Sequence, residues 1–264
     1  MRFVTLNVSG PSAARAERLL AFLPSLGADV LVLTETRQNR GTANLLDAYR
    51  QSGHAVFAAQ SMDASERGVA VIQRAGRPVS LTGELTEDAR HRLVAAEIHA
   101  TDSITVVGAY VPSRDASPAK IARKQRFLSQ MTAVARHWTH KRLVFLGDLN
   151  VVSRQHQPRF TAFRGWEYDA LEALERQGLV DAYSLLHPGR QAHSWIGRTG
   201  AGYRYDYAFV SSALVPHLVD CEYVHETREL GLSDHAAVVL TLKLPVEHGA
   251  AAETRHELAG RVAV

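Results

Sequence analysis

The sequence predicts an α/β protein of the α+β kind, with two packed sheets and helices outside them. Two observations carry that expectation. Short β-like runs recur along the chain, with helical segments between several of them. The runs from residue 69 to residue 110 follow one another with only short turns, which is a meander and not an alternating βαβ chain.

The elements follow from local pattern. Strands are expected at residues 3–8, 30–34, 56–59, 69–73, 93–98, 104–110, 143–146, 205–210, 222–225 and 236–244. Pro11 opens a helix whose Leu19, Leu20, Leu23 and Leu26 fall on one face, and Gly27 closes it. Further helices are expected at residues 44–51, 118–138 and 166–176, the last closed by Gly178. Residues 1–245 are read as a single domain, and the alanine-rich stretch 246–264 as a loose tail.

A chain of 264 residues can bury a sizeable core. No apolar run approaches the ~20 residues needed to span a bilayer, so no membrane association is expected. The N-terminus MRFVTLNVSG lacks a separate apolar core and cleavage site, and reads as a strand. Cys221 is the only cysteine, which excludes an internal disulfide and a cysteine metal site and fits a reducing, cytoplasmic setting. The net charge of +3 weakly favours an anionic partner.

The chemistry is carried by polar residues at strand ends. LVFLGDLNV, residues 143–151, closes an apolar strand with a carboxylate and an amide two positions apart. Residues i and i+2 of an extended chain point the same way, so Asp148 and Asn150 aim at one spot. A buried carboxylate is costly unless it is paired or binds a metal. An isolated GDLN would read equally well as a turn bonded to its own backbone. The pattern recurs, however, at Asn7 in LNVSG, Glu35 in LTETR, Tyr110 in GAYVPS, Asp206 in RYDYAFVS, and Asp234 with His235 in LSDHAAV. Carboxylates without cysteine suit a hard cation, Mg²⁺ or Mn²⁺. An Asp-His pair beside further carboxylates suits acid/base work near neutral pH. Together these fit metal-assisted cleavage of a phosphoester, in which a general base contributes ~10²–10⁴-fold and a preorganised donor about 3–4 kcal/mol.

This ordered set of motifs resembles the endonuclease/exonuclease/phosphatase superfamily, and most of all its exonuclease III-type AP endonuclease branch. The resemblance runs from Asn7 to His235. It implies a four-layer α/β/β/α sandwich of two packed mixed sheets flanked by helices. It also implies that Glu35 binds the divalent metal, with Asn7 and Asp234 lining that site. Asp148 would activate or align the attacking water, and Asn150 would hold that water or a phosphate oxygen. Asp206 would pair with His235, whose imidazole stabilises charge on the phosphate, and Tyr110 would contact the phosphate. Tyr110 with Val111-Pro112-Ser113 is similar to the AP endonuclease "YVPN", where other branches usually carry histidine. Trp195 in HSWIG matches the branch's aromatic wall against an abasic sugar. Departures are Leu6 in place of tryptophan, Tyr205 in place of isoleucine, Ser113 in place of asparagine, and a short loop over residues 197–203. They bear on substrate choice and leave the chemistry intact.

On the substrate side, Lys120, Arg123, Lys124 and Arg126 cluster at a helix start. They could track phosphates or form a solvated helix face. Arg198 and Arg204 flank the Trp195 loop, a mixture that fits nucleic acid. His137 and His140 read as helix-end electrostatics rather than a metal pair. His54, His91, His99, His187 and His193 read as surface or loop residues. The expected activity is that of a monomeric, Mg²⁺-dependent phosphodiesterase on double-stranded DNA, at abasic sites or 3′ ends. The alternatives are the same fold acting on RNA, a phospholipid head group or a small phosphate ester, and a binding module with a decayed site.

Overall fold

The computed structural model describes residues 1–59, 63–74, 76–79, 85–98, 103–159 and 161–244. The expected tail at 246–264 and His99 lie outside them. Two six-stranded sheets dominate. The first runs Leu218–Val224, Ala237–Leu242, Arg2–Asn7, Val30–Arg37, Arg67–Gln73, Ala55–Ala58 across its width. The second runs Arg77–Val79, Leu93–Ile98, Ile104–Tyr110, Leu143–Asp148, Asp206–Ser211, Leu179–Asp181.

Each sheet is mixed in the same way. One parallel pair sits in it, joined by a crossover helix, and all other pairs are antiparallel. In the first sheet the parallel pair is Arg2–Asn7 with Val30–Arg37, linked through the helix Ala13–Phe22. In the second it is Ile104–Tyr110 with Leu143–Asp148, linked through Pro118–Trp138. Parallel strands bring their C-terminal ends to one edge. The antiparallel neighbours Asp206–Ser211 and Ala237–Leu242 start at that same edge. This topology, and no single local signal, gathers residues that lie far apart in sequence.

Strand alternation builds three cores and so four layers. Phe3, Val32 and Val71 of the first sheet meet Val106, Leu146 and Ala208 of the second. Val4, Leu31 and Leu33 face outward onto Leu19, Leu23 and Leu45 of the helical layer. Val107, Phe145 and Phe209 face outward onto Phe127, Met131 and Leu171. The sheets approach closely at Gly108, where a Cβ would stand 2.7 Å from Val69 Cγ1 and 2.8 Å from Val32 Cγ1. Among the described residues no helix is long and apolar enough to cross a membrane.

The expectations need four corrections. The first helix ends at Phe22 and tightens into a 3-10 turn at Leu23–Leu26 before Gly27, and Leu20 is only partly buried. The second helix starts at Arg40, four residues early, because the Asn39 side chain caps the Thr42 N–H at 2.8 Å. The meander is split: Arg67–Gln73 belongs to the first sheet, while the three strands after it pair in the second. His91 is buried, its ring held by the Glu87 carbonyl and Glu66.

Candidate active site

Backbone strain marks the site. Among the described residues three non-glycines have positive φ: Ser9, Glu35 and Asn150. The left-handed region is uncommon for such residues and concentrates at functional positions. Glu35 lies where the pairing with Arg67–Gln73 shifts register, between Thr34 and Thr36, and its φ is +55°. The bulge re-aims its side chain toward the edge where the two sheets meet. There Tyr110, from the other sheet, donates its hydroxyl to Glu35 Oε1 at 2.9 Å. Arg67 Nη1 pairs with Glu35 Oε2 at 2.8 Å and lies 3.5 Å from the Tyr110 hydroxyl. Arg92 stacks behind the Tyr110 ring, 4.7 Å from its centroid. Burial, then the Glu35 charge, pushes the Tyr110 phenol up, so it stays a neutral donor.

Gly147 explains the motif GDLN. Its φ is +147°, and a Cβ would strike the Ala109 carbonyl oxygen at 1.9 Å. Only glycine lets the strand end this close to its parallel neighbour. Asp148 follows, 1% exposed. It accepts from the Asn150 backbone N–H at 2.9 Å and from Asn7 Nδ2 at 2.9 Å. The Asn150 amide donates to Asp148 Oδ2 at 3.3 Å and to the Val111 carbonyl at 2.9 Å. Burial, and after it the Asp206 charge, pushes the Asp148 carboxyl up.

His235 and Asp206 complete the group. His235 Nδ1 donates to Asp206 Oδ2 at 2.6 Å, and both residues are buried. Burial alone would lower the imidazole. The charge and hydrogen bond of Asp206 outweigh it and hold His235 well above its usual range. The charged imidazolium is therefore the favoured form. His235 Nε2 lies 3.5 Å from Asn7 Nδ2. Asn7 thus stands between Asp148 and His235. Its Oδ1 accepts from the Ser9 N–H at 2.8 Å, so the amide turns its nitrogen inward. Asn7 thus donates to Asp148 at the site it was expected to line. Asp234 is exposed beside His235 and accepts from the Trp195 indole at 3.2 Å.

The donor set fits a hard cation. Asp148, Asp206 and His235 form a buried group whose ligand atoms lie within 4.8 Å of one another, compact enough to hold a metal ion. Asp206 Oδ1 is buried without a hydrogen-bond partner among the described residues. An imidazolium engaged by Asp206 offers no lone pair, however. On that ground the carboxylates, and not His235, are the better ligands here.

The expected substrate contacts divide. Two are overturned. Lys124 is 1% exposed, and its ammonium donates to Glu167 Oε1 at 2.8 Å and to the Asn150 carbonyl at 2.7 Å. It braces the Asn150 backbone from inside and cannot reach a phosphate backbone. Arg204 is likewise internal. It forks onto both oxygens of Asp181, at 2.6 and 2.7 Å, between the rings of Tyr183 and Tyr207. The structure leaves Arg126 and Arg198 exposed. Lys120 is exposed and pairs with Asp115, and Arg123 is half-buried and pairs with Glu66. Trp195 bridges the His235 backbone and lies 5.8 Å from the Tyr205 ring, which stacks on Tyr203. The sequence pattern had not included Arg67. Its signal was the same one, a polar residue at the end of an apolar strand, here in ERGVAVI.

The DNA repair nuclease APEX1 of Danio rerio is 24% identical over 262 residues, covering 92% of this chain and 82% of the relative. An AP endonuclease from Archaeoglobus fulgidus superposes with a TM-score of 0.78 at 21% identity, over 92% of this chain and all of that one. A 3′ phosphatase from Neisseria, solved with a product DNA hairpin, gives 0.74 at 24% identity, again over 92% and 100%. The profile of the endonuclease/exonuclease/phosphatase family matches residues 4–235. With that match spanning both sheets and every residue of the buried group, the chain belongs to this family and is similar to its exonuclease III-type AP endonucleases.

Proposed function

We propose that this protein is a Mg²⁺-dependent phosphodiesterase acting on double-stranded DNA, at abasic sites or 3′ ends, with Mn²⁺ able to replace Mg²⁺. The observation that carries the reading is the convergence of two buried pairs, Asp206–His235 and Asn7–Asp148, at the edge where Glu35 and Tyr110 join the two sheets. Glu35 would hold the divalent ion, with Asn7, Asp234 and the buried carboxylates Asp148 and Asp206 lining its site; when bound it would supply charge stabilisation at the phosphate. Asp148 aligns the attacking water and takes its proton, and Asn150 holds that water or a phosphate oxygen. His235, kept charged by Asp206, stabilises the negative charge that grows on the phosphate. Tyr110 donates to a phosphate oxygen once its bond to Glu35 is exchanged. Trp195, beside His235, and Tyr203, next to it, offer aromatic faces for an unstacked sugar or base. Arg126 and Arg198 are the basic side chains left to follow the strand.

The test is cleavage of an abasic duplex with and without EDTA. Metal-dependent incision is expected. Equal cleavage in both conditions, or none with any DNA, overturns the proposal. The second reading is hydrolysis of another phosphoester, such as RNA, a phospholipid head group or a small phosphate ester. The short hairpin of Trp195–Ile196 with Gly202–Tyr203 favours it, being a small element for gripping a duplex. Salt separates the two, since DNA binding weakens steeply between about 50 and 200 mM salt and small-ester hydrolysis does not.

A further inference from the structure

Arg67 sits where a cation belongs. It lies on the inner face of the first sheet, in line with Val69 and Val71, at the edge where that sheet meets the second. Its guanidinium takes Glu35 Oε2 at 2.8 Å while the Tyr110 hydroxyl takes Oε1 at 2.9 Å. Both oxygens of the carboxylate assigned to the metal are thereby engaged within the protein. The charge of Asp234 bears on Arg67 as well as that of Glu35. The side chain is 37% exposed, against 11% for Glu35, so it reaches a buried anion from the solvent side. A divalent ion approaching Glu35 from solvent meets this guanidinium first. Two cations at one carboxylate repel each other, and the monovalent, tethered one gives way more readily. Once off Glu35, a planar fork of donors beside the Tyr110 hydroxyl is suited to a phosphate.

We propose that Arg67 is an exchangeable cation of this site: it neutralises Glu35 until a divalent ion takes that carboxylate, and then presents its guanidinium to a non-bridging phosphate oxygen of the substrate. The proposal rests on the metal-dependent reading above and adds to it a substrate-binding residue and an order of events. Arg67 is then a competitor of the metal before loading and a partner of the substrate after it.

The test uses the whole chain stripped of metal with EDTA. Mn²⁺ is titrated calorimetrically, without DNA, into the wild type, Arg67→Gln, Arg67→Lys and, as a remote charge control, Arg126→Gln. Arg67→Gln is expected to bind Mn²⁺ about three- to tenfold more tightly, with Arg67→Lys and Arg126→Gln close to wild type. A bracing role alone would have the opposite sign, because a loosened Glu35 binds metal less well. Affinity for an abasic duplex is then measured by fluorescence anisotropy with Mn²⁺, in an Asp148→Asn background that leaves the strand uncut. There Arg67→Gln is expected to weaken binding roughly tenfold, with Arg67→Lys recovering part of it. Unchanged or weaker Mn²⁺ binding in Arg67→Gln overturns the proposal, and so does unchanged duplex affinity. The Mn²⁺ titration needs no turnover, so failure here is distinct from failure of the wild type to cut DNA.

Discussion

Two of the buried charge clusters, those around Arg204 and around His235, are built on opposite terms. Around Arg204 the account is balanced. One guanidinium faces one carboxylate, and its three nitrogens all donate: Nε to the Tyr223 hydroxyl at 2.6 Å, and the other two to Asp181. Around His235 it is not. Two buried carboxylates share one imidazole, Asp206 Oδ1 has no partner among the described residues, and the Asp148 carboxyl is pushed up. Burial and charge are common to both clusters. The function proposed above goes with excess negative charge and incomplete satisfaction, because a fully paired ion has nothing left to offer a ligand.

The sharpest break of this comparison is Asp148→Asn. It should lower kcat by ~10² or more while the melting temperature stays level or rises, since the substitution relieves a buried carboxylate that the fold disfavours. Steady-state kinetics beside calorimetry reads both, and a clear loss of stability would show that the carboxylate serves packing. The mirror experiment is Asp181→Asn. Leaving Arg204 buried and unpaired should cost about 3–5 kcal/mol in urea unfolding, with kcat of the folded fraction unchanged. Loss of turnover without loss of stability would collapse the distinction between the clusters.

Smaller effects sharpen it at half-buried positions. Glu66 bonds Arg92 and Arg123, and these bonds outweigh burial to hold its carboxyl down at about 2. Its contribution is therefore present above its unfolded pKa and fades as pH falls toward about 2. Wild type and Glu66→Gln should differ by about 1 kcal/mol at neutral pH, after allowance for solvent screening, and converge in acid. Unfolding curves at several pH values check this. The smallest change is expected at the surface. Arg198→Ala should weaken DNA binding a few-fold and lower the salt slope by about 1, as read from anisotropy at several salt concentrations.

The site was more legible in the sequence than the charges around it. Asn7, Glu35, Tyr110, Asp148 and Asp206 stand out because each is a polar group at the end of an apolar run, and period-two alternation is a local property. Lys124 and Arg204 were misread because what buries them is remote: Glu167 lies 43 residues along the chain and Asp181 lies 23 away. On a helix start or in a loop, a lysine or arginine looks the same whether a carboxylate waits for it or not. Arg67 carries the same strand-end signal, but that its partner is Glu35 across a bulge is a matter of pairing register, which hydrophobicity does not print. The same holds for the split meander. Alternation tells strand from helix, but it does not tell which of two sheets a strand will join.

Gly108 therefore sets a tolerance for the chemistry without touching it. Glu35 rides on one sheet and Asp148 on the other, so the gap between the sheets is also the span between the two carboxylates that the proposed function assigns to the metal and to the attacking water. A missing side chain, with two valine methyls closing on the vacated space, acts as the shim that fixes this span. Any residue larger than glycine there would wedge the layers apart and detune the reaction from within the hydrophobic interior.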